Sequence, residues 1–317
     1  MPSFQSRLFR FILKHRHLLR FELRRKDVFD FNTSIPKFRE DCEKGAKMFG
    51  KLPEGIEAIP VEIQGIKAEW ISPSGVRKDK VIFYTHGGGY VSGSCSDHRG
   101  VVSRVVKASG IPALLFEYRL APEYPFPGAI EDSVAAYKWV LNQGVSPSDI
   151  MIVGESAGGG LCLATLLALK EEKIPLPAAA VAISPWTDLK CTGESYRTKN
   201  EVSVAPLNSW TVFGKYYCGD SDAANPLISP LYGDLQGLPP LLLQAGTDDE
   251  LFDDSVQFAQ KAKAAGVDVT FRRGEGMLHC YPFLPPFIPE AKEAMDEVIS
   301  FIKLHLGKVE SPAHQQA

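Results

Sequence analysis

One serine in this chain has the neighbours that nucleophilic chemistry requires. The stretch 154–158 reads Gly-Glu-Ser-Ala-Gly, which places Ser156 in a Gly-x-Ser-x-Gly pattern. The apolar run 150–153 before it predicts a buried strand, and the small residues after it predict the start of a helix. In that strand–turn–helix context the tight turn pushes the serine hydroxyl out above the sheet. Ser156 is therefore the candidate nucleophile.

A serine hydroxyl is a weak nucleophile at neutral pH and needs a base, an orienting acid and oxyanion donors. In open α/β sheets these groups lie at the carboxyl ends of strands. Of the seven histidines, only His279 combines a loop after a predicted strand, 267–271, with a position late in the chain. We therefore predict that His279 is the base.

The orienting acid is expected in the loop 246–254, which follows the predicted strand 241–244. Five acidic side chains crowd this loop, so composition alone does not choose among them. Either Asp253 or Asp254 would also suit the N-terminus of the following helix.

Three glycines, Gly87, Gly88 and Gly89, follow a predicted strand at 81–85. Without side chains they leave backbone amides open to a substrate carbonyl. With the amide of Ala157 they are predicted to form an oxyanion hole. A phosphate-binding loop would need a lysine and a helix start here, and residues 90–92 offer neither.

The elements that position these residues alternate along the chain. Predicted strands at 113–118, 150–153, 179–183, 241–244 and 267–271 are separated by helical stretches, and a hairpin at 58–71 precedes them. This alternation predicts an α/β fold with a mostly parallel sheet that is covered by helices on both faces. The aromatic-rich stretch 188–227 interrupts the pattern and is interpreted as an insertion.

Composition excludes several classes of protein. The 317 residues are 44% hydrophobic and 23% charged with a net charge of −3, which argues against disorder and nucleic-acid binding. Six scattered cysteines without a Cys-x-x-Cys pair indicate neither a zinc site nor a disulfide framework. No apolar run of membrane-spanning length occurs. The N-terminus does not resemble a signal peptide. We expect a cytoplasmic protein.

Residues 1–26 predict an amphipathic basic helix. Its apolar positions are Phe4, Leu8, Phe11, Ile12, Leu19 and Leu23. Such a helix could lie on an anionic membrane surface, or its apolar face could pack over the protein's own pocket. We favour packing, because the net charge elsewhere provides no supporting basic patch.

Several motifs occur together in the order of a known family. They are His-Gly-Gly-Gly-Tyr at 86–90, Tyr-Arg-Leu-Ala-Pro-Glu at 118–123, Gly-Glu-Ser-Ala-Gly-Gly at 154–159 and Ser-Pro-Trp-Thr-Asp at 184–188. With the late histidine, they make the sequence resemble the hormone-sensitive-lipase-like (bacterial family IV) esterases of the α/β-hydrolase superfamily. The resemblance covers most of the chain.

The resemblance implies that Ser156 is the nucleophile and His279 the base. The family's Asp-Pro-Leu-x-Asp stretch falls on 249–253, which makes Asp249 the triad acid and places Glu250 where the family has proline. It also implies oxyanion donors among Gly87, Gly88, Gly89 and Ala157. His86 is expected to brace the glycine loop.

The family has a helical cap, which here corresponds to residues 1–50 and to an insertion at about 188–226. The catalytic domain is then 51–307, followed by a loose tail at 308–317. Aromatic side chains such as Tyr90 and Trp210 are predicted to shape the substrate pocket. Many members are homodimers paired through edge strands, and none of the chemistry requires a metal or cofactor.

These inferences predict a carboxylic-ester hydrolase acting on small esters of short- to medium-chain acids. An amidase or deacetylase would use the same triad, and a non-catalytic receptor would usually lose the histidine. A lipase acting on aggregated lipid would need a more exposed apolar lid than the predicted cap suggests.

Overall fold

A computed structural model describes residues 2–15, 28–47, 51–203 and 205–307. Leu19 and Leu23 of the predicted N-terminal helix, and the predicted tail from 308, lie outside these ranges. Within them, eight strands form one sheet in the order β1-β2-β4-β3-β5-β6-β7-β8. β2 is antiparallel to β1 and β4, and the other pairs are parallel. The predicted mostly parallel sheet is confirmed.

The strands are β1 (Ile56–Ile63), β2 (Ile66–Pro73), β3 (Val81–Thr85), β4 (Ala113–Phe116), β5 (Ile150–Glu155), β6 (Ala179–Ile183), β7 (Leu241–Gly246) and β8 (Val269–Gly274). The helices in the described ranges are α1 (Phe4–Lys14), α2 (Ile35–Lys47), α3 (Cys95–Ser109), α4 (Gly128–Asn142), α5 (Ala157–Glu171), α6 (Ser195–Thr198), α7 (Ser209–Cys218), α8 (Phe252–Ala264) and α9 (Pro289–Leu306).

The central strands are buried on both faces, which is why they read as continuous apolar runs. Alternate side chains of each strand enter two separate cores. Ile82 of β3 packs in a core with α3 and α9, whereas its neighbour Phe83 packs with α4, α5 and α8. The sheet is therefore covered on both sides, as predicted.

Two element boundaries are set by local contacts. α3 begins at Cys95, because Ser94 and Asp97 form a reciprocal capping box at its N-terminus. β8 begins at Val269, because Val267 still closes the end of α8 by donating its N–H to the Ala262 carbonyl at 3.0 Å.

The two predicted cap segments contact each other. Phe29 and Phe38, from the first segment, pack their rings against Phe213 of α7 with centroid distances of 4.8 and 5.6 Å. The Phe29 N–H also donates to the Leu207 carbonyl. This contact brings α2 and α7 to the same side of the sheet.

The N-terminal helix differs from its prediction. Phe4, Leu8, Phe11 and Ile12 of α1 are exposed, so the prediction that its apolar face packs over the protein's own pocket is wrong for these side chains. The opposite face of α1 is docked instead. No helix in the described ranges is long and apolar enough to cross a bilayer.

The start of α5 passes so close to β3 that a side chain does not fit at Gly158. A Cβ there would lie 2.1 Å from the Thr85 carbonyl oxygen and 2.3 Å from that of His86. These neighbours are backbone atoms and cannot turn aside. Close approach of α5 to the sheet therefore requires glycine.

We predict that Gly158→Ala lowers the free energy of unfolding by about 1–3 kcal/mol, the usual cost of overpacking. Gly45→Ala is the matched control, because Gly45 lies inside α2 with no atom near its added Cβ. It should leave stability unchanged or raise it by up to about 1 kcal/mol. Urea unfolding measures both, and equal midpoints for the two variants would contradict the prediction.

Candidate active site

The turn that carries Ser156 joins β5 to α5 and holds the serine in an unusual conformation. Ser156 has φ 56° and ψ −125°, a region that residues with a Cβ rarely adopt. Its N–H donates to the Ile183 carbonyl at 2.9 Å, and its carbonyl accepts from Trp186 N–H at 3.0 Å. These bonds hold the serine at the carboxyl edge of the sheet, at the N-terminus of α5.

His279 and Asp249 lie on the loops after β8 and β7. His279 Nδ1 is 3.0 Å from both carboxylate oxygens of Asp249, and the Asp249 side chain is fully buried. Burial by itself lowers the pKa of His279, but the Asp249 charge and then Cys280 outweigh it. The pKa of His279 is therefore raised well above its ordinary value. The carboxylate orients the ring and stabilises its protonated form.

The loop of His279 is tied to the Ser156 turn through β6. Cys280 N–H donates to Ser184 Oγ at 3.0 Å, and Ser184 directly follows Ile183, the acceptor of the Ser156 N–H. Among the described residues, Ser156 Oγ and the His279 ring share no hydrogen bond. In enzymes without substrate this contact is often long and tightens on binding.

The predicted oxyanion donors differ in availability. The Gly87 N–H donates to Glu155 Oε1 at 2.7 Å, so the prediction that Gly87 is a donor is wrong. For Gly88, Gly89 and Ala157, no described residue accepts a hydrogen bond from the N–H. These three amides remain as candidates.

The glycines are required by packing as well as by access. Gly88 has φ 113°, and a Cβ there would lie 2.1 Å from the Ser92 carbonyl oxygen. Gly89 has φ 65°, and a Cβ there would lie 2.3 Å from the Phe213 ring. A side chain at either position would displace the loop from the nucleophile turn.

A chain of charged groups fixes Glu155 behind the nucleophile. His98 Nε2 lies 3.0 Å from Glu155 Oε1, and His98 Nδ1 bonds Asp97. Burial opposes the charge on His98, but hydrogen bonds to Asp97 and Glu155 raise its pKa to about 10. The protonated His98 thus balances two buried carboxylates, and one of them holds Gly87.

His86 braces the glycine loop, as its position predicts. Its Nδ1 lies 2.8 Å from the Gly87 carbonyl oxygen, and its ring stacks on Tyr118 with centroids 4.1 Å apart. Burial, and then the positive charge of His98, lower the pKa of His86 to about 4. A histidine that is neutral at ordinary pH and packed in this way acts as a support.

The five acids of the 246–254 loop have different partners. Asp248 pairs with Arg10 and Lys199, while Asp253 and Asp254 accept backbone N–H groups from the 187–195 segment. Only Asp249 contacts His279. Sequence spacing did not show which of the five acids partners His279, and contacts between distant parts of the chain favour Asp249.

Glu250 is the residue that sequence reasoning missed, since it only marked a departure from the family pattern. Its carboxylate accepts from Trp210 Nε1 at 3.1 Å and from Ser203 Oγ. Burial raises the pKa of Glu250. The Trp210 ring lies edge-on to His279, with centroids 5.6 Å apart. Glu250 therefore links the turn of Asp249 to the predicted cap insertion.

The two predicted pocket residues have different environments. Trp210 borders His279, as described above. Tyr90 is 1% exposed and stacks on Tyr217 with centroids 3.8 Å apart. A side chain enclosed in this way offers no surface to a substrate, so the prediction for Tyr90 is wrong. The aromatic side chain of Tyr90 belongs to the packed core.

The raised pKa of His98 predicts a pH dependence of stability. Its charge stabilises the fold fully below the unfolded-state pKa of about 6.5, and this contribution is lost as the pH rises towards 10. We predict that the difference in free energy of unfolding between the wild type and His98→Gln narrows between these pH values. His305→Gln is the control, because the pKa of His305 is lowered and its effect is constant over this range. Urea titrations test this, and a constant His98→Gln difference would contradict it.

Comparisons with known proteins identify relatives of this chain. A family model described as the alpha/beta hydrolase fold matches residues 82–283. Over 281 residues the chain is 41% identical to an acetyl-hydrolase of Streptomyces hygroscopicus, which covers 87% of this chain and 92% of that protein.

Two solved structures are similar over nearly the whole chain. One is an esterase from the bacterial hormone-sensitive lipase family, with a TM-score of 0.86 and 37% identity over 97% of this chain and 100% of that one. The other is EstE5 soaked with p-nitrophenyl butyrate, with a TM-score of 0.85 and 38% identity over 96% of this chain and 99% of that one. This protein belongs to the alpha/beta hydrolase fold family and, within it, to the bacterial hormone-sensitive-lipase esterases.

Proposed function

We propose that this protein hydrolyses carboxylic esters with Ser156 as nucleophile, His279 as base and Asp249 as orienting acid. The observation that carries the proposal is the contact of His279 Nδ1 with the buried Asp249 carboxylate. The loop that carries His279 is also hydrogen-bonded to Ser184, which follows the residue that accepts the Ser156 N–H. The pair of His279 and Asp249 fixes the tautomer whose Nε2 accepts a proton.

In the first half of the reaction, His279 Nε2 takes the proton of Ser156 Oγ as the oxygen attacks the ester carbonyl. The negative charge on the carbonyl oxygen is stabilised by the N–H groups of Gly88, Gly89 and Ala157, which no described residue occupies. The proton then passes from the imidazolium to the leaving alcohol, and an acyl-enzyme remains.

In the second half, water takes the place of the alcohol. His279 removes a proton from the water as it attacks the acyl carbonyl, and returns the proton to Ser156 Oγ as the carboxylic acid leaves. The Asp249 carboxylate orients the His279 ring and stabilises its charged form in both halves.

For the substrate, we propose short- to medium-chain acyl esters. Support comes from the acetyl-hydrolase relative and from EstE5, which was soaked with a butyrate ester. A cytoplasmic location is supported by the cysteines at 95, 162, 191, 218 and 280, which are free thiols. Homodimers paired through edge strands of the sheet stay a prediction, and so does the division into cap and catalytic domain.

We predict that Ser156→Ala lowers kcat for an aryl butyrate by about a millionfold, the scale found when a triad serine is removed. The variant should also lose labelling by a fluorophosphonate. Ser146→Ala is the control, because it changes an exposed serine in the loop before β5, at the end of that strand opposite to the Ser156 turn. Wild-type turnover by Ser156→Ala would overturn the proposal.

We predict that Asp249→Asn lowers kcat by about ten-thousandfold, whereas Asp248→Asn lowers it by less than about tenfold. The reason is that Asp248 contacts cations and Asp249 contacts His279. The reverse ranking would assign the acid to Asp248.

Asp249→Asn should also change how kcat/KM depends on pH. Only neutral His279 accepts a proton, so activity rises with pH through its pKa, which Asp249 holds above the ordinary value. Removing that charge lowers the pKa, and the rising limb of kcat/KM in Asp249→Asn should move to lower pH. A limb that stays in place would contradict this role of Asp249.

A further inference from the structure

The outward face of α1 is an apolar stripe in contact with solvent. Phe4 is 67% exposed, Phe11 60%, Leu8 46% and Ile12 36%. At 100° per residue, Phe4, Leu8 and Phe11 fall within about 60° of one another around the helix. Four large side chains exposed side by side differ from the single exposed apolar residues that are normal on protein surfaces.

The opposite face of α1 is fastened to the protein. Ser3 and Ser6 bond the Glu290 carboxylate of α9, and Arg10 Nε lies 2.9 Å from Asp248 Oδ2. Leu13 is buried in a small cluster with Leu278. Turning the apolar stripe inward would break these contacts, so α1 presents it outward in the folded protein.

The apolar stripe is flanked by positive charge. By helical spacing, Arg7 and Lys14 lie along one of its edges. α1 contains no acidic residue, and residues 1–26 contain eight basic side chains and one acidic side chain, Glu22. The whole chain has a net charge of −3, so positive charge is concentrated in this segment.

We propose that α1 binds the surface of an anionic lipid bilayer, lying flat with the apolar stripe in the headgroup region. Such helices bury their apolar face about 5–10 Å into the interface while basic side chains contact anionic headgroups. The stripe of Phe4, Leu8, Phe11 and Ile12 enters the headgroup region. Arg7 and Lys14 contact the anionic headgroups.

A bilayer fits this face better than a second copy of the chain. In a symmetric dimer, the same patch meets itself. Two facing copies of α1, which contains no acidic residue, would bring Arg7 and Lys14 of each copy close to those of the other, and like charges at an interface are costly. An anionic surface neutralises the same charges instead.

Membrane binding would place the candidate active site near lipid. α1 contacts Asp248 and Leu278, which directly precede Asp249 and His279. A helix is about 10–12 Å across, so these loops would lie roughly one helix diameter from the headgroups. Binding of α1 to lipid does not depend on the proposed ester hydrolysis. Only the benefit of that binding, access to esters dissolved in the membrane, rests on the proposed function.

The test is co-sedimentation of the full chain with vesicles of phosphatidylcholine alone or with about one third phosphatidylglycerol. We expect at least about tenfold tighter binding to the anionic vesicles, and loss of most of that gain at high salt. The double variant Phe4→Ser/Phe11→Ser should bind the anionic vesicles at least about tenfold more weakly. Leu304→Ser is the control, because Leu304 is 76% exposed on α9 and should not matter.

Aryl butyrate turnover in solution and the melting temperature should be unchanged in Phe4→Ser/Phe11→Ser, which separates failure of this proposal from failure of the proposed function. Equal binding to both kinds of vesicle, no binding to either, or equal loss in Leu304→Ser would overturn the proposal. A dimer in sedimentation that the double variant abolishes, without anionic-vesicle binding, would assign the stripe to a second copy.

Discussion

The backbone of Ser156 is the constraint on which the rest of the structure depends. A non-glycine residue at φ 56° costs about 1–3 kcal/mol and persists only where its surroundings enforce it. Here β6 holds the turn through Ile183, and Thr85 Oγ1 of β3 bonds the Gly158 carbonyl at 2.8 Å. The burial of α5 against the sheet makes the strained conformation the one that the folded chain can adopt.

The second constraint is the charge behind the nucleophile. Glu155 is next to Ser156 in sequence and accepts the Gly87 N–H, so one carboxylate sets the spacing between the turn and the glycine loop. A buried carboxylate needs a compensating charge. Protonated His98 provides it, in turn supported by Asp97. The residue before the serine therefore has a structural role that the Gly-x-Ser-x-Gly pattern leaves open.

What could be predicted from sequence was governed by local patterns. Continuous apolar runs predicted β3 and β6 with the bounds that the structure shows. The motif and strand order indicated Ser156 and His279 as site candidates. The resemblance, with its Asp-Pro-Leu-x-Asp register, indicated Asp249, whereas spacing alone could not separate that residue from its acidic neighbours.

The predictions that failed depended on distant contacts. Three successive glycines look equivalent in sequence, yet Gly87 bonds a carboxylate 68 residues away. Tyr90 lies in a loop next to the glycines, but its ring is enclosed by Tyr217. The periodicity of α1 identified an apolar face without indicating its direction, which is set by bonds from two serines to Glu290.

The contact between Glu250 and Trp210 has a consequence for protein engineering. Exchanging the 188–226 insertion for that of a relative is an obvious route to altered selectivity. In this chain the exchange would also remove Ser203 and the indole, which are the donors to Glu250. The buried Glu250 carboxylate would then lose both of these donors next to Asp249, the partner of His279. A successful chimera must therefore carry a new donor in the graft or a neutral residue at position 250.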